Sequence, residues 1–365
     1  MINPKIVFSH FAAHGDFVDA APYGSGHIND TIAVNASLSG TPVRYLLQRL
    51  NHHVFKKPIE LMENVERVLR HQQAKLKEQD HPEASRNAMT LVYNNDGKSY
   101  YQDEETYVWR CYLFVENAQG YDIIETEEQA TEAAKAFGNF QKLLADLPGE
   151  RLHETIPNFH NTPARLARLE EVIALDPQGR AASVKAELDF IFDRKEDTEK
   201  LLKLNAEGLI PERITHNDTK LNNVLLDDKT QEGICVIDLD TTMPGLGLYD
   251  FGDLIRTSTS PAAEDEKDVS KVKMQMNMFE ALVKGYVGAT KEVLTPTEVD
   301  NLSFGGKIIT LETAIRFITD FIEGDVYFKT KYADHNLDRC RTQIALVKSI
   351  ESQLDAMQAV VQKYL

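Results

Sequence analysis

The sequence predicts an α+β chain of two lobes, with a small antiparallel sheet and one helix over residues 1–116 and a larger, mainly helical lobe over residues 117–365. Strand and turn patterns dominate the first 115 residues, and helical periodicity begins at Thr126. A length of 365 residues also exceeds what one compact core usually holds. The boundary between the lobes is expected in the polar segment 116–120.

Local patterns predict each element of the first lobe. A turn with two glycines at 23–31 separates the first two strands, and Ser39-Gly40-Thr41-Pro42 leads into the third. Asn94-Asn95-Asp96-Gly97 is a strong hairpin signal. The strand patterns cover 20–36, 43–50, 89–93, 98–102 and 107–115, and the predicted helix carries Leu61, Val65, Val68, Leu69 and Leu76 on one face.

The second lobe is predicted from apolar residues at helical spacing. Thr162-Pro163 is typical of a helix start, with a capping residue followed by a first-turn proline. The final helix is the clearest, because its apolar residues recur in steps of three and four. The predicted helices cover 128–147, 183–206, 270–288, 306–323 and 336–363, with one more starting at Thr162.

Composition excludes several classes of protein. The formal net charge is −17, from 57 acidic and 40 basic residues, without a cluster of Lys and Arg, so neither nucleic acid nor an anionic membrane is expected as a partner. Cys111, Cys235 and Cys340 are odd in number and lie in apolar stretches, which favours reduced core thiols. No segment approaches 18 consecutive apolar residues. We expect a cytoplasmic protein, either a monomer or a weak homo-oligomer.

Two segments carry the residue pattern of a phosphoryl-transfer centre. The segment 216–223 contains Asp218, with Asn223 five residues further on, and the apolar segment 236–240 contains Asp238. A kinase needs a carboxylate that accepts the proton of the attacking hydroxyl and two oxygen ligands for Mg²⁺ on the nucleotide phosphates. The spacing therefore assigns Asp218 as the base and Asn223 and Asp238 as metal ligands. Asp240 lies on the same face if the strand continues, and it is a candidate for positioning the metal or the substrate.

A second motif nearby has the wrong spacing. Asp250-Phe251-Gly252 has the residues of a kinase metal-binding tripeptide, but it lies 32 residues after Asp218 and follows a glycine-rich loop in place of an apolar strand. Asp238 is the better metal ligand. Asp250 is expected to be a cap or a carboxylate that braces a loop.

The first lobe offers a candidate nucleotide site. Gly24, Ser25 and Gly26 form a turn whose backbone can approach phosphates, although an ordinary hairpin turn is the alternative for this motif alone. Gln48 lies on the third strand where a kinase usually has a cation, and the adjacent Arg49 points to the opposite face. The backbone of Glu116 and Asn117 is expected to bind adenine as a hinge. Glu63 and Glu66 are candidates for the helix carboxylate that pairs with the strand cation in a kinase. It is an equally good interpretation that each lies on the solvated surface of the helix.

Several longer sequence segments resemble those of a known family. They are Tyr23-Gly24-Ser25-Gly26-His27-Ile28-Asn29, the segment 215–223, Ile237-Asp238-Leu239-Asp240-Thr241, the acidic run 264–268, Glu323-Gly324-Asp325-Val326-Tyr327-Phe328 and Lys331-Tyr332. The chain resembles the aminoglycoside phosphotransferase superfamily of small-molecule kinases, and within it the kinases of N-acetylhexosamines. The resemblance implies a bilobal protein-kinase-like fold, ATP as co-substrate, Mg²⁺ as cofactor and an amino sugar phosphorylated on its anomeric hydroxyl.

The same resemblance places three more residues at the sugar. It assigns Arg316 and Tyr327 to sugar binding and His27 to the reacting end of the cleft. The family that the chain resembles also has a glutamine at the position of Gln48. Structural alternatives remain for each: an internal salt bridge from Arg316 to Asp320, a core position for Tyr327 and a turn-capping role for His27. Choline, homoserine or an aminoglycoside is the alternative acceptor, and a nucleotide-binding protein without catalysis is the alternative from another class. The preference between the gluco and galacto epimers stays open.

Overall fold

The computed structural model describes residues 3–24 and 28–365, and the chain forms two compact units. The first contains Met1–Gly120, Leu143–Pro157 and Val224–Pro244. The second contains Tyr121–Lys142, Asn158–Asn223 and Gly245–Leu365. Ser25, Gly26 and His27, which the sequence assigns to nucleotide and sugar binding, lie outside the described residues.

The first unit is built on an antiparallel sheet. Its order is β1-β2-β3-β6-β4, and β5 also pairs with β6. The strands are β1 (Asp16–Pro22), β2 (Asp30–Leu38), β3 (Thr41–Arg49), β4 (Leu91–Val92), β5 (Tyr101–Gln102) and β6 (Val108–Leu113). Ser39 and Gly40 both have positive φ, which is the geometry of a two-residue turn matched to strand twist. The turn at 94–97 also forms, but both short strands beside it pair with β6.

Three helices accompany this sheet: α1 (Pro4–Ser9), α2 (Pro58–Glu78) and α3 (Ala84–Asn87). The predicted apolar face of α2 is buried, since Leu61, Val65, Val68, Leu69 and Leu76 are each at most 5% exposed. A second sheet in the order β10-β9-β7 joins β7 (Ala118–Gln119), β9 (Val224–Asp227) and β10 (Gly233–Val236). The turn between β9 and β10 returns the chain antiparallel to β9.

The second unit is mainly helical. Its helices are α4 (Glu127–Leu144, which extends into the first unit), α5 (Thr162–Leu175), α6 (Lys185–Phe192), α7 (Lys195–Ala206), α8 (Gly247–Ser258), α9 (Met276–Thr290), α10 (Pro296–Glu323), α11 (His335–Glu351) and α12 (Leu354–Lys363). The short strand β8 (Arg213–Thr215) belongs to this unit, whereas β11 (Met243–Gly245) begins in the first unit and only its last residue belongs to the second. The long helix α10 packs against α5, α7, α8, α11 and α12 and forms the centre of the unit. Gly252 and Gly305 allow α8 and α10 to approach closely, because a Cβ on Gly252 would lie 2.3 Å from the Gly305 carbonyl oxygen.

The predicted fold class is confirmed: an antiparallel-sheet lobe with one long helix and a larger helical lobe. Several helix boundaries differ. The segment 183–206 contains a 3-10 turn and two helices, and 336–363 is interrupted at Ser352 and Gln353. The helix predicted at 306 begins at Pro296, where Thr295 and Glu298 form a capping box. Among the described residues, no helix has the length and apolarity that crossing a bilayer requires.

Candidate active site

The loop after β8 brings together two of the predicted functional residues. The side-chain Nδ2 of Asn223 donates to the Asp218 carbonyl oxygen at 2.8 Å and to its carboxylate Oδ2 at 3.0 Å. Lys220 places its Nζ 3.0 Å from the other carboxylate oxygen, Oδ1. Burial acts to lower the pKa of Lys220, but the adjacent Asp218 carboxylate outweighs burial and raises it. Asp218 is thus held between an amide and a charged ammonium group.

Asp250 braces this loop from the first turn of α8. Its carboxylate accepts the His216 N–H at 2.9 Å and the Asn217 N–H at 2.8 Å. The Thr219 hydroxyl donates to the Asp250 carbonyl oxygen at 2.6 Å. Burial raises the pKa of the Asp250 carboxyl, whereas its interactions with His216 and with the N–H donors act in the opposite direction. The expectation that Asp250 braces a loop is confirmed, because its carboxylate accepts two backbone N–H groups of the loop that carries Asp218.

The next turn of α8 adds a buried ion pair. Asp253 accepts the Thr219 N–H at 3.1 Å and pairs with Arg256 at 2.8 Å. Arg256 also reaches Glu264 at 3.2 Å. Burial raises and the neighbouring Arg256 lowers the pKa of Asp253, with a net decrease, so this carboxylate stays ionised. The loop that carries Asp218 is therefore fixed at several points by α8.

A polar cavity of about 210 Å³ lies beside Lys220 in the second unit. Its wall includes four hydroxyl side chains and charges of both signs but no aromatic ring. The Asn222 Oδ1 and Gln343 Oε1 atoms belong to residues that line it, and both are buried without a hydrogen-bond partner in the structure as described. Buried polar atoms usually have a partner. The cavity therefore has a polar wall suited to a ligand with hydroxyl or amide groups.

Arg316 lies among aromatic rings and not in a salt bridge. Its guanidinium carbon is 5.9, 6.0 and 5.4 Å from the ring centres of Phe159, Tyr327 and Phe328, respectively. Asp320 has other partners: it accepts the backbone N–H groups of 326 and 327 at 2.9 and 2.7 Å. The alternative of an Arg316–Asp320 salt bridge is wrong. Tyr327 is 68% exposed, so a core position for it is also wrong.

Arg165 accompanies Arg316, and sequence reasoning missed it. Arg165 donates to the Phe159 carbonyl oxygen at 3.1 Å, and its Nε is buried without a partner in the structure as described. Burial, and then the positive charge of Arg316, lower the pKa of Arg165. The nearby Glu312 carboxylate is already bound to His160 at 2.9 Å and to the Thr162 hydroxyl at 2.6 Å. Neither arginine forms an ion pair among the described residues.

The first unit contains the predicted nucleotide-side residues. Gly24 has φ +82, a left-handed conformation that favours glycine. The strand residue Gln48 donates to the Thr31 hydroxyl at 3.0 Å and accepts from Arg110 Nε at 2.9 Å. Arg110 is directly opposite Gln48 on β6 and pairs with Asp240. Sequence reasoning missed Arg110, although a charge within an otherwise apolar strand was a signal.

The other candidates of this unit have separate partners. Glu63 contacts His153 at 2.7 Å, and Glu66 pairs with Arg70, so both glutamates contact residues other than Gln48. Glu116 pairs with Arg44, and Asn117 has a positive φ. Arg49 pairs with Asp30 and lies 4.6 Å from the Tyr107 ring centre.

Asp238 and Asp240 belong to a tight turn. Strand β10 ends at Val236, Asp238 has φ 59, and 239–241 form a 3-10 turn, so the strand does not continue to Asp240. Asp240 is 2% exposed and accepts from Asn29 Nδ2 at 2.6 Å as well as from Arg110. The structure thus places Asp240 in a buried network with Gln48.

The predicted ligand Asn223 suits a magnesium ion that also binds substrate phosphates. Over residues 3–24 and 28–365 no group of three His, Cys, Asp or Glu side chains could hold a metal by itself. Mg²⁺ is usually bound by one or two carboxylates together with substrate phosphates. Asn223 uses only its Nδ2 in the two hydrogen bonds described above, which leaves its Oδ1 for a cation.

Comparisons with known proteins identify the family and similar folds. The sequence model described as the phosphotransferase enzyme family matches residues 19–271. Similar solved structures include an aminoglycoside phosphotransferase from Alicyclobacillus acidocaldarius subsp. acidocaldarius DSM 446, with 13% identity, a TM-score of 0.61 and coverage of 100% of this chain and 97% of that one. A microcompartment-associated aminopropanol kinase has 14% identity and a TM-score of 0.57, with 97% of each chain covered.

A spectinomycin phosphotransferase, solved with ADP and spectinomycin, has 13% identity and a TM-score of 0.54, with 96% of each chain covered. At these identities the structures show a shared fold. The family match rests on the sequence itself and covers more than half of the chain. The chain therefore belongs to the phosphotransferase enzyme family.

Proposed function

We propose that the protein is an ATP-dependent kinase that phosphorylates the anomeric C1 hydroxyl of an N-acetylhexosamine, with Asp218 as the base. The observation that carries the proposal is the setting of Asp218. Asn223 and Lys220 fix its two carboxylate oxygens, and Lys220 also lines a polar cavity. A hydroxyl acceptor in that cavity would thus lie near both a base and a cation.

Asp218 would accept the proton of the attacking hydroxyl late in an in-line transfer. An anomeric hydroxyl is more acidic than an ordinary alcohol, so a carboxylate suffices as the base. Lys220 supports this role because its ammonium group lies 3.0 Å from one carboxylate oxygen and helps to hold the side chain in place. Asn223 supports it by restricting the rotation of the Asp218 side chain.

Nucleotide binding is assigned to the first unit. The turn at Gly24, the strand residue Gln48 and the backbone of Glu116 and Asn117 would hold ATP, and Asn223 and Asp238 would hold Mg²⁺. The ion, when bound, neutralises charge on the phosphate oxygens. The presence of ADP in the structure of the spectinomycin phosphotransferase supports a nucleotide as the phosphoryl donor.

The chemistry of the cavity favours a sugar as the acceptor. Several hydroxyl groups and an acetamide can exchange hydrogen bonds with the hydroxyl side chains of the wall and can accept from Lys220. Arg316 and Tyr327, assigned by resemblance, would contact the sugar from a second side. Asp240, by contrast, is buried in a protein network, which favours a structural role over sugar contact.

Choline is the main rival acceptor, and the same cavity argues against it. A quaternary ammonium group is usually recognised by an aromatic cage, and no aromatic residue lines this cavity. The aromatic cluster of the second unit surrounds Arg316, which already supplies a cation. A homoserine or aminoglycoside kinase is the other alternative.

A coupled ADP-release screen tests the proposal. The acceptors are N-acetylglucosamine, N-acetylgalactosamine, glucose, choline, homoserine and an aminoglycoside, each with ATP and Mg²⁺. We expect the highest kcat/KM for one of the two N-acetylhexosamines. A preference for choline, homoserine or the aminoglycoside would contradict the sugar assignment. Nucleotide binding without ADP release for any acceptor would favour a non-catalytic protein.

A further inference from the structure

Arg110 is a buried cation for which the proposed mechanism has no role. It lies on β6 between Trp109 and Cys111, and its side chain is 1% exposed. Its ion-pair partner Asp240 is 3% exposed at the side chain. Burial acts to lower the pKa of Arg110, but the carboxylates of Asp240 and Asp238 produce a net increase, so the guanidinium stays charged.

A buried pair of this kind is weak evidence for stability. Removing two charges from water costs several kcal/mol per ion, and an apolar pair of similar volume is often as stable. Such a pair can instead fix the positions of its side chains when further hydrogen bonds hold both partners. Here Arg110 Nε donates to Gln48 at 2.9 Å while another nitrogen of the same guanidinium, Nη1, pairs with Asp240.

The network continues in two directions from Arg110. The second oxygen of Asp240 accepts from Asn29 at 2.6 Å, and Asn29 Oδ1 accepts the Asn51 N–H at 3.0 Å. Gln48 continues to the Thr31 hydroxyl at 3.0 Å. Asn29 and Thr31 lie on the C-terminal side of the glycine turn, and Asp240 lies two residues after Asp238. One buried cation therefore connects the start of β2 to the turn that carries Asp238.

We propose that Arg110 is a positioning residue that fixes Asp238 and the start of β2 in the arrangement that binds a magnesium nucleotide. It does so through Asp240 and Gln48, without contacting the nucleotide itself. The proposal rests on the assignment of Asp238 as a metal ligand, but not on the identity of the acceptor. Gln48 takes part as the cross-strand partner of Arg110, since the two residues are directly opposite each other on β3 and β6.

The geometry requires arginine and not merely a positive charge. Gln48 and Asp240 are bound by two different nitrogens of one rigid guanidinium group. A lysine has a single ammonium nitrogen on a flexible chain and cannot reproduce that pair of directions. Arg110→Lys therefore keeps the positive charge but loses the simultaneous contacts with Gln48 and Asp240.

The test measures ADP affinity by calorimetry, once with Mg²⁺ and once with EDTA, without any acceptor. The variants are Arg110→Lys, Asp240→Asn and the double variant Arg110→Gln with Asp240→Asn, which leaves no unpaired buried charge. Partners of metal ligands typically contribute about 10–100-fold to metal affinity. We expect each variant to lose about tenfold or more of the affinity gained from Mg²⁺, with ADP affinity in EDTA changed less than about threefold.

Arg70→Gln is the matched control, because it removes an exposed arginine–glutamate pair of the same unit. It is expected to retain the full Mg²⁺ effect. Equal loss of affinity in Mg²⁺ and in EDTA would overturn the proposal, as would full retention of the Mg²⁺ effect in folded variants. Failure of all three variants to fold would make the pair a stability element and would also overturn it. A failed acceptor screen would leave this test unaffected.

Discussion

At the scale of single residues, Asp218 carries the proposed chemistry. Replacing it with Asn keeps its shape but removes the proton acceptor, and a general base typically contributes about 10²–10⁴-fold to the rate. We expect Asp218→Asn to lower kcat by about that factor while the protein stays folded. Steady-state kinetics and circular dichroism check both expectations.

Asp228→Asn is the control for this prediction. It makes the same chemical change at an exposed side chain ten residues along the chain. It is expected to leave kcat unchanged. Substantial turnover by well-folded Asp218→Asn protein would refute the assignment of the base.

Residues were predictable from the sequence where local spacing determines them. Asp218 and Asn223 lie five residues apart in one loop, so their contact follows from the motif. Arg110 and Asp240 are 130 positions apart, and nothing local indicates that they pair. Arg165 was missed for the same reason, because its neighbour Arg316 lies on another helix. Helical spacing also suggested the wrong partner for Asp320. Its carboxylate binds backbone N–H groups of a loop and does not pair with Arg316.

At the scale of elements, Asp320 anchors the loop that carries Tyr327. Its carboxylate accepts three successive N–H groups, at 326, 327 and 328. Asp320→Ala would leave these donors without their acceptor, and an unsatisfied buried group costs about 1–3 kcal/mol. We expect a comparable loss in the free energy of unfolding and a higher KM for the sugar, with a smaller change in KM for ATP.

Denaturant unfolding and initial-rate kinetics check both parts of this prediction. Asp334→Ala, at an exposed position shortly after the loop, is the control and is expected to change neither quantity. An unchanged KM for the sugar in a destabilised Asp320→Ala protein would remove Tyr327 from the sugar site.

The turn between β9 and β10 gives a prediction about pH. The Thr230 N–H, Arg86 and the Lys229 N–H bind Asp227 at 2.8 to 2.9 Å and hold the pKa of its carboxyl well below its usual range. A depressed pKa means that the stabilisation is complete above the unfolded value of about 3.9 and declines as the pH falls below it.

We therefore expect wild type to melt at a higher temperature than Asp227→Asn from pH 7 to about pH 5, with the difference shrinking between about pH 4 and pH 2. Differential scanning fluorimetry over this range measures it. A difference that is independent of pH would show that ionisation of Asp227 does not stabilise the turn.

Element types were more predictable than element boundaries. The apolar face of α2 and the helical structure of the final segment follow from side-chain periodicity, which is a local property. The periodicity does not reveal the interruption at Ser352 and Gln353, because both flanking helices keep an apolar face. The start of α10 carried a local signal, the Thr295–Glu298 capping box, that the prediction at 306 overlooked.

At the scale of the whole molecule, periodicity predicts the fold class but not the grouping of segments. Residues 143–157 and 224–244 belong to the same compact unit as the first 120 residues, although they follow far along the chain. That grouping depends on long-range contacts, such as the Arg110–Asp240 pair, that no local pattern encodes. The prediction of buried free thiols is confirmed, because Cys111, Cys235 and Cys340 are all buried and unbridged.

The most direct test of the proposed reaction is to locate the transferred phosphate. N-acetylglucosamine and N-acetylgalactosamine labelled with ¹³C at C1 are each incubated with ATP, Mg²⁺ and enzyme, and the product is followed by ³¹P and ¹³C NMR. We predict a sugar phosphate whose phosphorus couples to the labelled C1, formed together with ADP and absent with Asp218→Asn. A phosphate on any other oxygen, or no sugar phosphate from either epimer, would contradict the proposed function.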